Sequence, residues 1–323
     1  MNEHLKQQLR EALMEKFGLD IDEAVFRFST QNYAFIFPEK PYMLRVSIRP
    51  KRSRAELLSE LMWVDDLKQF KETICEPSPS LEGRLLEEFE IDGQLYRASM
   101  FRTARGKIKE TVDMTPMFFI CAGDLLGTIH HVSTDEEQLG MHYKRADAST
   151  AFAALIDRVG ERMPADVLAK VREVQGKVDA LPRETGKYGL CHGDFHSNNF
   201  FVEANNIWLF DFDGCIYTYY LYDVASFMLS CLTSGYGHGK DLKTVLYQEI
   251  MPYFQIGYKL NKECDDHYFD EIELFIQYRL ALSIMGIMEI EKIGIDVDLG
   301  RVTAFYTAGL MADHVLEGLA VGY

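Results

Sequence analysis

Nowhere in the 323 residues does an apolar run reach the roughly 18 residues that a membrane-spanning helix requires. The opening MNEHLKQQLR is charged and lacks the apolar stretch of a secretory signal, so a soluble cytoplasmic protein is expected. Cysteine is thinly spread. Cys75, Cys121, Cys191, Cys215, Cys231 and Cys264 include no CxxC pair, which speaks for free thiols and against a disulfide framework or structural zinc. Positive charge is short as well, with 34 Lys and Arg against 50 Asp and Glu and a net charge of -16. That field repels nucleic acid and anionic membrane and mildly favours cationic ligands, besides keeping the surface soluble. Neither nucleic acid nor membrane is an expected partner. A monomer and a homodimer both stay open. Internal repeats and low-complexity segments are missing, which excludes a solenoid.

What is present falls into two halves. Ala24 to Phe37 and Pro41 to Arg49 are rich in aromatic and β-branched residues and predict strands. In the second, Tyr42, Leu44, Val46 and Ile48 share one face, leaving Met43, Arg45 and Ser47 on the other. SRAELLSELMWVDDL carries Leu57, Leu61, Val64 and Leu67 at helical spacing, with Ser53 and Glu56 as a capping box. Lys71 to Ser80 reads as a loop. Arg84 to Ile91 and Gln94 to Phe101 flank Asp92-Gly93, a strong hairpin signal. Beyond Gly106 helical patterns dominate: Met114 to Val132, Ala148 to Gly160, Ala165 to Leu181, Leu221 to Leu232 and Val302 to Leu319. The expected boundary puts residues 1–102 in a small sheet-rich lobe with one helix and residues 103–323 in a large helical one.

The chemistry concentrates in CHGDFHSNN, residues 191–199, which leads into two short apolar strands, Phe200-Phe201-Val202 and Ile207-Trp208-Leu209-Phe210. A hairpin centred near Asn205 would set Asn199 opposite Asp211, close enough for two oxygens to share one Mg2+. Asp194 beside them could accept a proton from a substrate hydroxyl. Two other readings compete. Asn and Asp at strand ends often only satisfy backbone groups. His192, Asp194 and His196 on one face of an extended strand would suit zinc or iron in a metal-dependent hydrolase.

HGDFHSNN followed by FDFDG resembles the catalytic and metal-binding segments of the aminoglycoside phosphotransferase and choline kinase families, small-molecule relatives of the protein kinases. The family pattern H-G-D, four residues, N, a short hairpin and I-D-F is matched by His192, Gly193, Asp194, Asn199 and Asp211, with Phe210 in the Ile place. Tyr222-Asp223-Val224-Ala225 is similar to the family's Y-D-L-A helix start. The resemblance implies an α+β, bilobal protein-kinase-like fold and transfer of phosphate from ATP, or GTP, to a small-molecule hydroxyl. It makes Asp194 the catalytic base, with His196 shaping the loop. Asn199 and Asp211 become the Mg2+ ligands, and Asp223 a brace for the loop backbone.

In the small lobe it makes Ser29-Thr30-Gln31-Asn32 the phosphate loop, without the usual glycines, with Ser29, Thr30 and Asn32 as contacts. Arg45 stands where a lysine is expected, and Glu60 rather than Glu56 is its expected partner, because Glu56 serves the capping box. The adenine is expected against backbone groups of Met100, Phe101 and Arg102. An atypical protein kinase would use the same residues. The acceptor stays open among an aminoglycoside, a choline-like alcohol, an amino alcohol and a sugar. Tyr217, Tyr219, Tyr220 and Tyr222 either hold a cationic acceptor by cation–π attraction or pack the core.

Overall fold

The computed structural model describes residues 1–28, 32–48, 52–108, 114–138, 142–291 and 299–321. Contacts group the chain into two units, Met1–Gly106 with Trp208–Asp213, and Lys107–Ile207 with Gly214–Tyr323.

The first unit opens with a helix that the sequence analysis did not assign. This helix, α1 (Glu3–Phe17), starts at Asn2, whose side chain accepts from Leu5 N at 2.8 Å, and stops at Gly18 in the left-handed region. Leu9, Leu13 and Phe17 recur every four residues and are buried in the same apolar cluster as the sheet residues Phe35, Leu44 and Val46. Among its described residues the unit therefore has two α-helices, where one was expected. The second, α2 (Arg54–Leu67), begins with the expected capping box: Ser53 N and Oγ both donate to Glu56 Oε2, at 2.8 and 2.7 Å.

Strands β1 (Val25–Phe28), β2 (Asn32–Ile36), β3 (Tyr42–Ile48), β4 (Pro77–Ser78), β5 (Glu87–Ile91) and β6 (Gln94–Arg102) form an antiparallel sheet in the order β1-β2-β3-β6-β4, with β5 also paired to β6. Asp92 and Gly93 both take positive φ, as a two-residue hairpin turn requires. The alternation along β3 is observed, but both faces are covered. Leu44 and Val46 join the cluster under α1, while Met43 packs with Leu57, Leu61, Leu86 and Phe101. Arg45 shares that second face, so it is buried rather than solvated.

Residues 208–213 are tied into this unit by several kinds of contact. Leu209 exchanges backbone hydrogen bonds with Thr73 and Cys75, each 2.9 Å. Phe212 meets Trp63 of α2 edge-on at 5.6 Å, and Arg52 pairs with Asp213.

The second unit is mainly helical. It contains α3 (Pro116–Gln138), α4 (Ala148–Val159), α5 (Ala165–Asp179), α6 (Leu221–Leu232), α7 (Leu242–Thr244), α8 (Met251–Tyr258), α9 (Ile272–Glu291), α10 (Leu299–Met311) and α11 (Val315–Val321). The helix expected over Val302 to Leu319 is therefore two helices, broken after Met311. Strands β7 (Lys107–Ile108), β9 (Phe200–Glu203) and β10 (Asn206–Leu209) form one small sheet, ordered β10-β9-β7. Strands β8 (Tyr188–Cys191) and β11 (Ile216–Tyr219) pair antiparallel in another.

Helices α3 and α8 touch through glycine. A Cβ on Gly123 would lie 2.0 Å from Phe254 O, and one on Gly257 would lie 1.9 Å from Ile120 O. No side chain fits between these backbones. Among the described residues, no helix is long and apolar enough to cross a membrane.

Gly257→Ala must push α3 and α8 apart. Urea denaturation should show it less stable than the parent by about 3 kcal/mol, the upper part of the range for overpacking.

Candidate active site

β8 delivers His192 to the end of a strand, and β11 lies alongside it with Ile216 opposite Cys191. The chain must then turn sharply. Gly193 makes the turn at φ 81, and a Cβ there would lie 2.2 Å from Gly214 O, so only glycine fits.

The turn is held by one carboxylate. Asp223, fully buried in the first turn of α6, accepts His192 N at 2.7 Å on Oδ2 and Gly193 N at 2.8 Å on Oδ1. The brace expected from the sequence is thus observed. His130 of α3 backs it: its Nε2 faces Asp223 Oδ2 at 3.4 Å, and its Nδ1 meets the Tyr258 hydroxyl at 2.8 Å. Burial lowers the His130 pKa against the pull of Asp223, which keeps the imidazole neutral.

Beyond the turn Asp194 is gripped at both oxygens. His196 Nε2 lies 3.1 Å and Asn199 Nδ2 3.0 Å from its Oδ2, while Arg279 of α9 pairs with its Oδ1. Because His196 Nδ1 accepts from Asn198 N at 3.2 Å, its proton sits on Nε2 and points at Asp194. Burial acts to raise the Asp194 pKa. The Arg279 charge and the His196 hydrogen bond override it and hold the carboxyl well below the usual carboxylate range. At pH 7 this is an anion.

Arg279 was missed in the sequence. The signal was there: it is the one charged residue between Leu274 and Met288, an apolar helical stretch where an unpaired cation would be costly. Its Nη1 also donates to the Tyr222 hydroxyl at 2.9 Å. A pocket of about 610 Å³ opens against Arg279 and His196, walled by hydroxyls including Ser226, Ser230, Thr233, Ser283 and Tyr306.

Of the two readings of the tyrosines, packing is the one observed: Tyr219, Tyr220 and Tyr222 are buried and Tyr217 is half-buried. Tyr219 donates to Leu181 O at 2.6 Å, Tyr220 meets Thr134 at 2.9 Å, Tyr217 accepts Tyr143 N at 3.0 Å, and Tyr222 takes Arg279. None of the four lines the pocket. The transition-metal reading gains nothing either. Among the described residues, the set of three ligands that comes within 4.8 Å is His130, Cys191 and Asp223, not His192, Asp194 and His196. Its Asp223 already holds backbone N–H groups, and burial keeps the Cys191 thiol protonated.

In the first unit Arg45 Nη1 donates to Glu60 Oε1 at 2.7 Å, both side chains buried. Glu56 stays in its capping box. Burial works against the Arg45 charge, but Glu60, Asp213 and Asp211 hold its pKa above the ordinary value. The guanidinium also lies over the Phe101 ring at 4.8 Å. Asp211 itself is exposed, at φ 64.

The hairpin turns on Ala204 and Asn205, both at positive φ, and its strands end at Phe200 and Leu209. Asn199 and Asp211 therefore lie outside the ladder that was to pair them. Asn32 is a strand residue, its Oδ1 accepting Ser47 Oγ at 2.9 Å. Ser29 and Thr30 lie outside the described residues. Met100, Phe101 and Arg102 end β6, opposite Leu44, Met43 and Tyr42 of β3.

A helical unit with an Asp-centred loop, and a sheet unit with a buried Arg–Glu pair, define a phosphotransferase of the protein-kinase-like fold. The phosphotransferase enzyme family matches residues 24–241, and the chain belongs to that family. It is similar to the amicoumacin kinase of Bacillus subtilis (strain 168), 24% identical over 288 residues that cover 88% of this chain and 85% of that one. A solved amicoumacin kinase, hAmiN, in complex with AMP-PNP, Ca2+ and Ami, shares the fold at a TM-score of 0.81 and 20% identity, covering 98% of this chain and 97% of that one. A microcompartment-associated aminopropanol kinase aligns at a TM-score of 0.60 and 17% identity, covering 97% and 95%.

Asp223→Ala strands two buried N–H groups at once. Thermal and urea denaturation should show a loss of about 3 kcal/mol or more, well above a typical surface substitution.

Proposed function

We propose that the protein transfers the γ-phosphoryl group of ATP to a hydroxyl of a small molecule bound in the pocket beside Asp194. The observation that carries this reading is the Asp194 carboxylate, held ionised by Arg279, His196 and Asn199 next to a concave pocket of about 610 Å³. A cavity of that size suits a small molecule better than a protein segment.

In the reaction the substrate oxygen attacks the γ-phosphorus, Asp194 takes the hydroxyl proton, and the bond from the γ-phosphorus to the ADP oxygen breaks. His196 orients the carboxylate. Asn199 commits its amide nitrogen to Asp194, so its oxygen is the atom left for a cation, and Asp211 adds an exposed carboxylate. Hard oxygen donors of this kind fit Mg2+. The ion, when bound, supplies charge neutralisation on the phosphate oxygens.

Arg45 is assigned to the nucleotide phosphates, aimed by Glu60, and the adenine to the end of β6 at Met100 to Arg102. Ser29, Thr30 and Asn32 complete the nucleotide contacts in this reading. The relatives support it: one is solved with an ATP analogue and a divalent ion, and the similar proteins are named as kinases of small molecules.

A screen of alcohols, amino alcohols and antibiotics with purified protein, Mg2+ and ATP, read by ADP release, identifies the acceptor. Asp194→Asn should then lower kcat by about 100-fold or more while nucleotide binding persists. Turnover left intact would defeat the assignment of the base. Arg45→Ala should raise the KM for ATP by about tenfold, roughly 1.4 kcal/mol of lost phosphate binding, with the acceptor KM unchanged.

A further inference from the structure

Asp194 is held at both of its carboxylate oxygens. Oδ2 carries His196 and Asn199, and Oδ1 carries Arg279. The pocket reaches Arg279 and His196, the side chains that hold the carboxylate, but Asp194 is not part of its wall. A hydroxyl entering the pocket meets the guanidinium before it meets the base.

Three hydroxyls on and just beyond α6 have a different character. Ser226 Oγ donates to Tyr222 O at 2.9 Å, Thr233 Oγ1 to Leu229 O at 2.7 Å and Ser234 Oγ to Cys231 O at 2.6 Å. Each hydroxyl has spent its one proton on a main-chain carbonyl, so what it presents to the pocket is lone pairs. These three hydroxyls of the lining therefore accept hydrogen bonds, while Arg279 donates them.

Resting on the phosphotransferase reading above, we infer that Arg279 is a substrate-lifted latch on the catalytic carboxylate. The acceptor it selects is bipolar. It carries hydroxyl or amine donors for the α6 wall and, next to the reacting hydroxyl, a carbonyl, carboxylate or ether oxygen that takes over the guanidinium. A guanidinium has five N–H donors in a planar fork and can pass from one oxygen pair to another while Tyr222 still holds its other edge. Asp194 Oδ1 loses its cationic partner, and becomes the stronger base, when such an oxygen arrives. Water, with no second group to hold on the α6 hydroxyls while it engages the fork, leaves the latch down. ATP is then not wasted on hydrolysis. Arg279 is accordingly a positioning residue that acts through Asp194.

The test needs no knowledge of the natural acceptor, because water serves as the probe. In that reaction water oxygen bonds to the γ-phosphorus, its proton goes to Asp194, and ADP leaves, yielding ADP, inorganic phosphate and a proton. Phosphate release is measured with MgATP alone for the parent protein, Arg279→Met and Arg279→Lys, alongside each protein's melting temperature and nucleotide affinity. Arg279→Met should hydrolyse ATP about tenfold faster than the parent, a barrier change of roughly 1.4 kcal/mol. Arg279→Lys, which keeps the charge but not the fork, should show a smaller rise. A merely structural role for Arg279 would lower this rate, not raise it. Folded, nucleotide-binding variants that both hydrolyse ATP no faster than the parent would overturn the latch. A parent protein that phosphorylates no alcohol and binds no nucleotide would instead defeat the phosphotransferase reading itself, so the two failures are distinct.

Discussion

The loop that carries the chemistry depends on the Asp223 carboxylate. By taking the consecutive N–H groups of His192 and Gly193, it fixes the direction in which the chain leaves β8. The geometry of Asp194, His196 and Asn199 follows from that direction. The carboxylate is fully buried, and two backbone donors with a neutral histidine behind them are what make its burial tolerable. Glycine at 193 is the second half of the same constraint, since any side chain would strike Gly214.

Asp194 shows the opposite balance. It sits at the pocket's edge, and its three partners come from different depths of the sequence: His196 and Asn199 from its own loop, Arg279 from a helix 85 residues on. Two charges and two neutral groups converge so that the carboxylate remains an anion despite partial burial. A comparable pair occurs in the first unit, where Arg45 and Glu60 are buried together and Glu60 Oε2 finds no hydrogen-bond partner among the described residues. A buried ion pair with an orphaned oxygen contributes little to stability.

Much of this was readable from the sequence where the determinants are local. The Asp92-Gly93 turn, the Ser53–Glu56 box and the span of α6 each rest on a few adjacent residues. So does the HGD loop, and so does the choice of Glu60 over Glu56 for Arg45. What escaped depended on distance or on weak contrast. Helix α1 hides its Leu9, Leu13, Phe17 stripe in a charged segment. Arg279 acquires meaning only when α9 is folded beside the loop. For the tyrosines near α6 the sequence left ligand surface and core packing both open, and only the fold, which gives each hydroxyl a protein partner, decides for packing. The second hairpin turned half a residue early, because the Ala204-Asn205 pair adopts a two-residue turn.

The short stretch from Trp208 to Asp213 packs with residues more than a hundred positions earlier, through Thr73, Cys75, Trp63 and Arg52. On a ribosome, the first unit would emerge long before this segment exists. Its α2 would wait with the Trp63 edge open until the chain beyond the catalytic loop had been made. Completion of the earlier unit is thus coupled in time to synthesis of the later one, and a fragment cut at Gly106 would lack a native piece of its own interior.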